Sequence, residues 1–144
     1  MTNPIIFFLI DDDEEDTMIF RDMVEECDIP VRLLNAESAR EALEMLRQME
    51  SSMPDVIFLD LNMPGMDGKE CLRELKQDTR LASIPVIMYT TSSHSRDVEE
   101  TTQAGAVGFI TKPSDVRELK RIIETIAMNA PHNLEHALES LGAV

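Results

Sequence analysis

Val56-Ile57-Phe58-Leu59-Asp60-Leu61-Asn62-Met63-Pro64-Gly65-Met66-Asp67-Gly68 joins a short apolar run to a turn through one acid. Four apolar residues in succession, bounded by turn residues, fit a strand buried on both faces. Asp60 stands at the exit of that strand, and Pro64, Gly65 and Gly68 follow within eight residues. A carboxylate so placed contributes little to a core, but a rigid turn can hold its oxygen at the protein surface. A second apolar run, Ile5 to Ile10, also closes in acid, at Asp11-Asp12-Asp13. Two strand ends finishing this way point to a cation site with a reactive aspartate.

Working outward, five apolar runs alternate with helical patterns. The strands are expected at Ile5–Ile10, Val31–Leu34, Val56–Asp60, Val86–Thr90 and Val107–Thr111, and the helices at Thr17–Cys27, Ser38–Met49, Gly68–Asp78, Ser95–Ala104 and Asp115–Met128. Ala39, Ala42, Leu43 and Leu46 follow the i, i+3, i+4, i+7 rule behind a Ser38/Glu41 capping box. Val116, Leu119, Ile123 and Ile126 make a similar stripe in the last of these helices. Alternation at this spacing predicts an α/β fold, a doubly wound parallel sheet covered on both faces. The runs at 5–10, 56–59 and 86–89 are continuously apolar, as central strands are. Those at 31–34 and 107–111 carry Arg32, Gly108 and Thr111, as edge strands do. The order 2-1-3-4-5 satisfies this, which is the flavodoxin-like (βα)5 arrangement. The fourth helix has little to bury beyond Val98 and Ala104, so it is held loosely or faces a partner. Residues 1–130 form the expected domain. After Pro131, Leu134, Ala137, Leu138 and Leu141 give 131–144 a short amphipathic character, suited to packing on the same domain or on a second copy.

Composition narrows the partners. The chain has 144 residues, enough for one substantial core. Its 13 Lys+Arg against 28 Asp+Glu give a net charge of -15, which disfavours nucleic acid and anionic membrane surfaces. Protein partners with basic patches, or divalent cations, suit it better. Cys27 and Cys71 form no metal-type spacing and read as reduced, buried thiols. No apolar run is long enough to span a bilayer or to serve as a signal peptide, so a cytoplasmic protein is expected.

Open parallel sheets bind ligands beyond the carboxyl ends of their strands, where the strand order reverses. Asp11 and Asp12 arrive there from the first strand, Asp60 from the third, Thr90 from the fourth and Lys112 from the fifth. Each close carboxylate pair costs about 1–4 kcal/mol at roughly 4 Å, and Lys112 supplies one compensating charge. Mg²⁺ suits an all-oxygen set of carboxylates, carbonyls and water, whereas Zn²⁺ would call for Cys or His. One carboxylate could then act as a nucleophile on phosphorus, with the Lys112 ammonium and the Thr90 hydroxyl stabilising the transferred group.

The chain resembles the response-regulator receiver domain, of the stand-alone chemotaxis or phytochrome type, over about residues 4–129. The likeness is carried by Leu9-Ile10-Asp11-Asp12, by Asp60 to Gly68, by Pro85-Val86-Ile87-Met88-Tyr89-Thr90 and by Gly105-Ala106-Val107-Gly108-Phe109-Ile110-Thr111-Lys112-Pro113. It implies that Asp60 accepts a phosphoryl group from a histidine kinase or phosphotransfer protein. It implies Mg²⁺ on Asp11, Asp12, Asp60 and the Asn62 main-chain carbonyl, with Asp11 acting mostly through water. It implies that Thr90 and Lys112 hold the phosphoryl oxygens and that the Lys112–Pro113 peptide is cis. Thr90 and Phe109 would be the switch pair, reshaping the face of the fourth helix, fifth strand and fifth helix for a downstream protein or a second copy. Phe109 stands where the family often has Tyr, Thr91 is larger than the residue common there, and Asn62 and Ser92 occupy positions that tune hydrolysis of the acyl phosphate.

Plainer readings stand beside these. Asp13, Glu14, Glu15 and Asp16 could extend the cation site but read first as a solvated helix entry, Asp67 as a helix cap and His94 as an exposed helix start. His132 and His136, four apart, lack a third ligand. A Mg²⁺-dependent phosphatase would need a second aspartate at position 62, which is Asn, so a turnover enzyme is not expected. A phosphorylation-independent interaction module would not need the full set of Asp11, Asp12, Asp60, Thr90 and Lys112. A flavin carrier would need a hydroxyl- or glycine-rich loop where Asp11 to Asp13 stand.

Overall fold

A computed structural model describes residues 3–142; positions 1–2 and 143–144, the ends of the two expected segments, lie outside the described residues. The strands are β1 (Ile5–Ile10), β2 (Val31–Ala36), β3 (Val56–Leu59), β4 (Val86–Thr90) and β5 (Gly108–Thr111). The helices are α1 (Glu14–Glu26), α2 (Ala39–Gln48), α3 (Gly68–Gln77), α4 (Ser95–Gln103), α5 (Val116–Asn129) and α6 (Leu134–Ser140). All strand pairings are parallel, in the order β2-β1-β3-β4-β5. The flavodoxin-like order expected from strand composition is the order found.

Because successive side chains in a strand point to opposite faces, each central strand feeds two cores. Phe8, Ile10, Ile57, Leu59 and Met88 pack under α2 and α3. Phe7, Leu9, Phe58, Ile87 and Tyr89 pack under α1 and α5. On the second face Phe20, Phe58 and Tyr89 meet edge to face, with ring centroids 5.2–6.1 Å apart.

Helix starts follow capping chemistry. Asp13 Oδ1 accepts from the Asp16 amide at 3.0 Å, so α1 begins at Glu14, three residues before the expected Thr17. Ser38 and Asp67 cap α2 and α3 in the same way, the latter as expected. The stripe of α5 is Leu119, Ile122, Ile123, Ile126 and Ala127. Val116, expected on it, is exposed because it is the first helical residue and precedes the turn that meets the sheet. In α4 only Thr101 is buried, in keeping with the small apolar face read from its sequence. β2 runs two residues further than expected, through Asn35 and Ala36, which pair with Leu9 and Ile10.

α6 packs on its own domain. Leu134, Ala137 and Leu138 are buried with the α5 core, and Leu138 lies directly over Gly108 of β5, where a Cβ would approach its Cδ1 to 2.6 Å. A side chain at 108 would require Leu138 to shift from that seat. Among the described residues, no helix is long and apolar enough to cross a membrane.

Candidate functional site

The register sets the site. Ile10 pairs with Leu59, so the residues that follow, Asp11 and Asp60, leave neighbouring strands at one level. The Asp60 amide donates to the Ile10 carbonyl at 3.0 Å, and the Asp11 amide to that of Ala36 at 3.1 Å. On the other side Thr90 pairs with Thr111, and the Lys112 amide donates to the Thr90 carbonyl at 2.8 Å. Four strand ends therefore meet at one mouth. Gly68 is pressed against this framework: its amide donates to the Leu61 carbonyl, and a Cβ there would collide with the Asp60 carbonyl oxygen.

The side chains converge as the sequence predicts. One carboxylate oxygen each from Asp11, Asp12 and Asp60 lies within 4.8 Å of the others. Asp11 and Asp60 are buried and Asp12 is exposed, so the cluster opens to solvent on one side. Lys112 Nζ is 2.8 Å from Asp11 Oδ2 and 3.6 Å from Asp60 Oδ2, and 5.7 Å from the centroid of the Tyr89 ring. Thr90 is fully buried, its Oγ1 accepting from the Ser92 amide at 3.4 Å. Asn62 is exposed at the rim. Phe109 is buried in the core under α3 and α4.

Two findings depart from the sequence reading. Asp16 is more than a solvated helix entry: its Oδ2 accepts from Lys112 Nζ at 2.8 Å, making it the lysine's second close partner. The earlier start of α1 turns Asp16 inward, and the Asp13 cap is the local signal that could have revealed it. The peptide between Lys112 and Pro113 is not cis. Among the described residues the cis bond is Ala130–Pro131. Cis and trans X-Pro differ by only about 0.5–1 kcal/mol, so the dipeptide alone does not fix the isomer.

One ammonium thus serves three carboxylates, with a fourth, Asp12, beside them, and the imbalance shows. Burial pushes the Asp11 carboxyl from 3.8 up to about 6; the Lys112 ammonium and the Asp13 amide offset only part of this, and the charge of Asp60 adds to it. Burial pulls Lys112 down, but Asp11 and Asp16 outweigh it and leave the ammonium more firmly protonated than usual. Asp11 Oδ2 is buried and, though ion-paired with Lys112, engages in no directed hydrogen bond. Carboxylate oxygens of three acids, two of them buried, gathered beside one ammonium are the donor chemistry of a hard divalent cation. The residues fit such an ion. By contrast, His132 and His136 belong to no cluster of three ligating groups, and among the described residues the three acids form the one such cluster.

A doubly wound sheet with acids and a lysine gathered at its switch point defines a flavodoxin-fold domain built around a carboxylate pocket. The chain belongs to the response regulator receiver domain family, whose sequence profile matches residues 7–124. It is 34% identical over 118 residues to the polar-differentiation response regulator DivK of Brucella ovis, covering 82% of this chain and 89% of that protein. The crystal structure of the phosphorylated cyanobacterial phytochrome response regulator RcpA superposes with a TM-score of 0.80 at 28% identity, covering 90% of this chain and 99% of that one. The Mn²⁺-bound form of response regulator Rcp1, a Synechocystis protein, gives a TM-score of 0.75 at 29% identity, covering 85% and 91%. Receiver domains of this family are signalling proteins of two-component systems.

Proposed function

We propose that the chain is a phosphorylation-operated switch in which Asp60 accepts a phosphoryl group from the phosphohistidine of a sensor kinase or phosphotransfer protein. The observation that carries this reading is the position of Asp60, at the mouth of the pocket, within 4.8 Å of two further acids and 3.6 Å from Lys112. In the reaction an Asp60 carboxylate oxygen forms a bond to phosphorus as the bond from phosphorus to the histidine nitrogen breaks, and the imidazole leaves with its electron pair. Phosphoryl transfer needs chiefly alignment and stabilisation of charge on the equatorial oxygens.

Asp11, Asp12, Asp60 and the Asn62 carbonyl are the groups that would hold Mg²⁺. When bound, the ion neutralises the carboxylates and supplies positive charge to the phosphoryl oxygens. Lys112, kept firmly protonated, offers an ammonium to one of those oxygens, and the Thr90 hydroxyl offers a proton to another. The existence of a Mn²⁺-bound form of the relative Rcp1 supports divalent-ion binding by this chain. Phosphorylation would then bias Thr90 and Phe109 and present the α4–β5–α5 face to a downstream protein or a second copy. The protein is consumed one equivalent at a time, as an acceptor rather than a turnover enzyme.

Incubation with Mg²⁺ and a small acyl phosphate, read by intact-protein mass spectrometry, should add one phosphoryl group to the native chain. Asp60→Asn should gain none. A native protein that stays unmodified, or an Asp60→Asn variant that is modified equally, overturns the assignment.

A further inference from the structure

The helices that follow Asp60 and Thr90 are joined by an ion pair whose residues lie outside the three-acid cluster and far apart in sequence. Lys69, the second residue of α3, places its Nζ 2.7 Å from Asp97 Oδ1 and 2.6 Å from Glu100 Oε2 in the first turns of α4. Asp97 also accepts from the Ser92 hydroxyl, through its other oxygen, at 2.9 Å. The Ser92 amide in turn donates to Thr90 Oγ1. Behind Lys69, Gly68 is packed on the Asp60 and Leu61 backbone. A continuous path therefore runs from the backbone of the acceptor, across the pair, to the hydroxyl of Thr90. The pair walls a cleft of about 110 Å³ lined also by Leu61, Asn62 and Asp67.

This path matters because α4 has so little else to hold it. Thr101 is its one buried residue, and Val98 only borders the core. The side chains of Lys69 and Asp97 are 25% and 21% exposed, sheltered enough for their attraction to survive moderate salt. Lys69 pulls the Asp97 carboxyl below its ordinary range, and the Ser92 hydroxyl pulls it further. Without Lys69, Asp97 and Glu100 would face each other one helical turn apart as like charges.

Resting on the reading that Asp60 is phosphorylated, we propose that Lys69 and Asp97 are positioning residues for that reaction. Their ion pair ties the start of α3, packed on the loop that begins at Asp60, to the start of α4, whose preceding loop carries Ser92 and follows Thr90 at the end of β4, and so restricts the Thr90 hydroxyl relative to the acceptor carboxylate. Breaking the pair loosens α4, and with it the Asp97 carboxylate that holds the Ser92 hydroxyl, and so widens the range of Thr90 positions. The cost falls on reaching the reactive geometry, not on gathering Mg²⁺ or the donor.

The test is the kinetics of Asp60 phosphorylation by a small acyl phosphate at saturating Mg²⁺, for the native chain and for Lys69→Met, Asp97→Asn, the double variant and Lys69→Arg. Lys69→Met should lower the saturating rate about two- to five-fold, the scale of one partly exposed ion pair, and leave the half-saturating donor concentration unchanged. The double variant should be no slower than Lys69→Met, and Lys69→Arg should restore most of the rate. In rising salt the ratio of native to Lys69→Met rates should fall toward one. Amides of 92–98 should exchange faster with solvent deuterium in Lys69→Met. Should Lys69→Met be unfolded by circular dichroism, Asp97→Asn and the same salt series on that variant decide. A saturating rate equal to that of the native chain refutes the proposal, and so does a change confined to half-saturation, which would mean that Lys69 only attracts the anionic donor. A native chain that takes no phosphoryl group fails differently, and removes the function proposed for Asp60 along with it.

Discussion

Asp11→Asn should make the metal-free protein more stable, although it removes a charge from a pocket that contains a lysine. The Asp11 carboxyl titrates near 6 in the fold against 3.8 ordinarily, chiefly because it is desolvated. At pH 7.5 that rise corresponds to about 3 kcal/mol held against the folded state, at about 1.36 kcal/mol per unit. Water entering the open side of the pocket, beside exposed Asp12, screens part of it, so a gain of about 1–2 kcal/mol is expected. The sign follows from proton binding. Between pH 3.8 and about 6 the folded chain holds the Asp11 proton more tightly than the unfolded chain. The native protein therefore loses stability as pH rises through that window, and the deficit stays constant above it. Asparagine keeps the shape without the charge, so the variant's advantage should be near zero at about pH 3.5 and complete by about pH 7. Urea unfolding in EDTA should show a midpoint higher by roughly 0.5–1 M at pH 7.5. Saturating Mg²⁺ should reverse the ranking, because the ion stabilises a native chain that retains its ligand. A variant less stable than the native chain in EDTA at pH 7.5, or an advantage independent of pH, would refute the reasoning.

Other outcomes follow from the same packing and charge. Lys112→Met leaves Asp11, Asp16 and Asp60 without their shared cation, and should destabilise the metal-free chain by about 2–4 kcal/mol in urea unfolding, with much of the loss recovered in Mg²⁺. Leu138→Ala empties the seat over Gly108 and should cost about 2–4 kcal/mol, with α6 amides exchanging faster; a change below about 0.5 kcal/mol would mean that α6 is not part of the core. Cys71 is fully buried, and its thiol is pushed up to about 12 by burial, so a disulfide reagent at pH 8 should reach it only after denaturation, whereas half-buried Cys27 should react slowly in the native state.

Much of this protein is legible in the chain because its decisive signals are local. Every strand except β2 ends within a residue or two of where its apolar run meets an acid, Thr or Lys, and those ends gather into the candidate pocket. Parallel strands joined by helices must all point the same way, so residues at their carboxyl ends gather on one edge without any contact being known in advance. Asp11, Asp12, Asp60, Thr90 and Lys112 were identifiable for that reason. Asp16 was not, because its role depends on one turn of α1 and on a lysine 96 residues away.

The remaining decisions belong to tertiary packing. Local sequence could not say that Lys69 would find Asp97, since their pairing depends on how α3 and α4 lie across the sheet edge. Nor could it choose the isomer before Pro113, where the two forms differ by less than a typical packing contact. The segment after Pro131 had an apolar stripe that fitted this domain or another copy equally well, and the bare backbone of Gly108 opened the seat that Leu138 fills. Periodicity and strand-end chemistry are written within about ten residues and survive without the fold. Pairings between distant side chains exist only once the register and the helix positions are set.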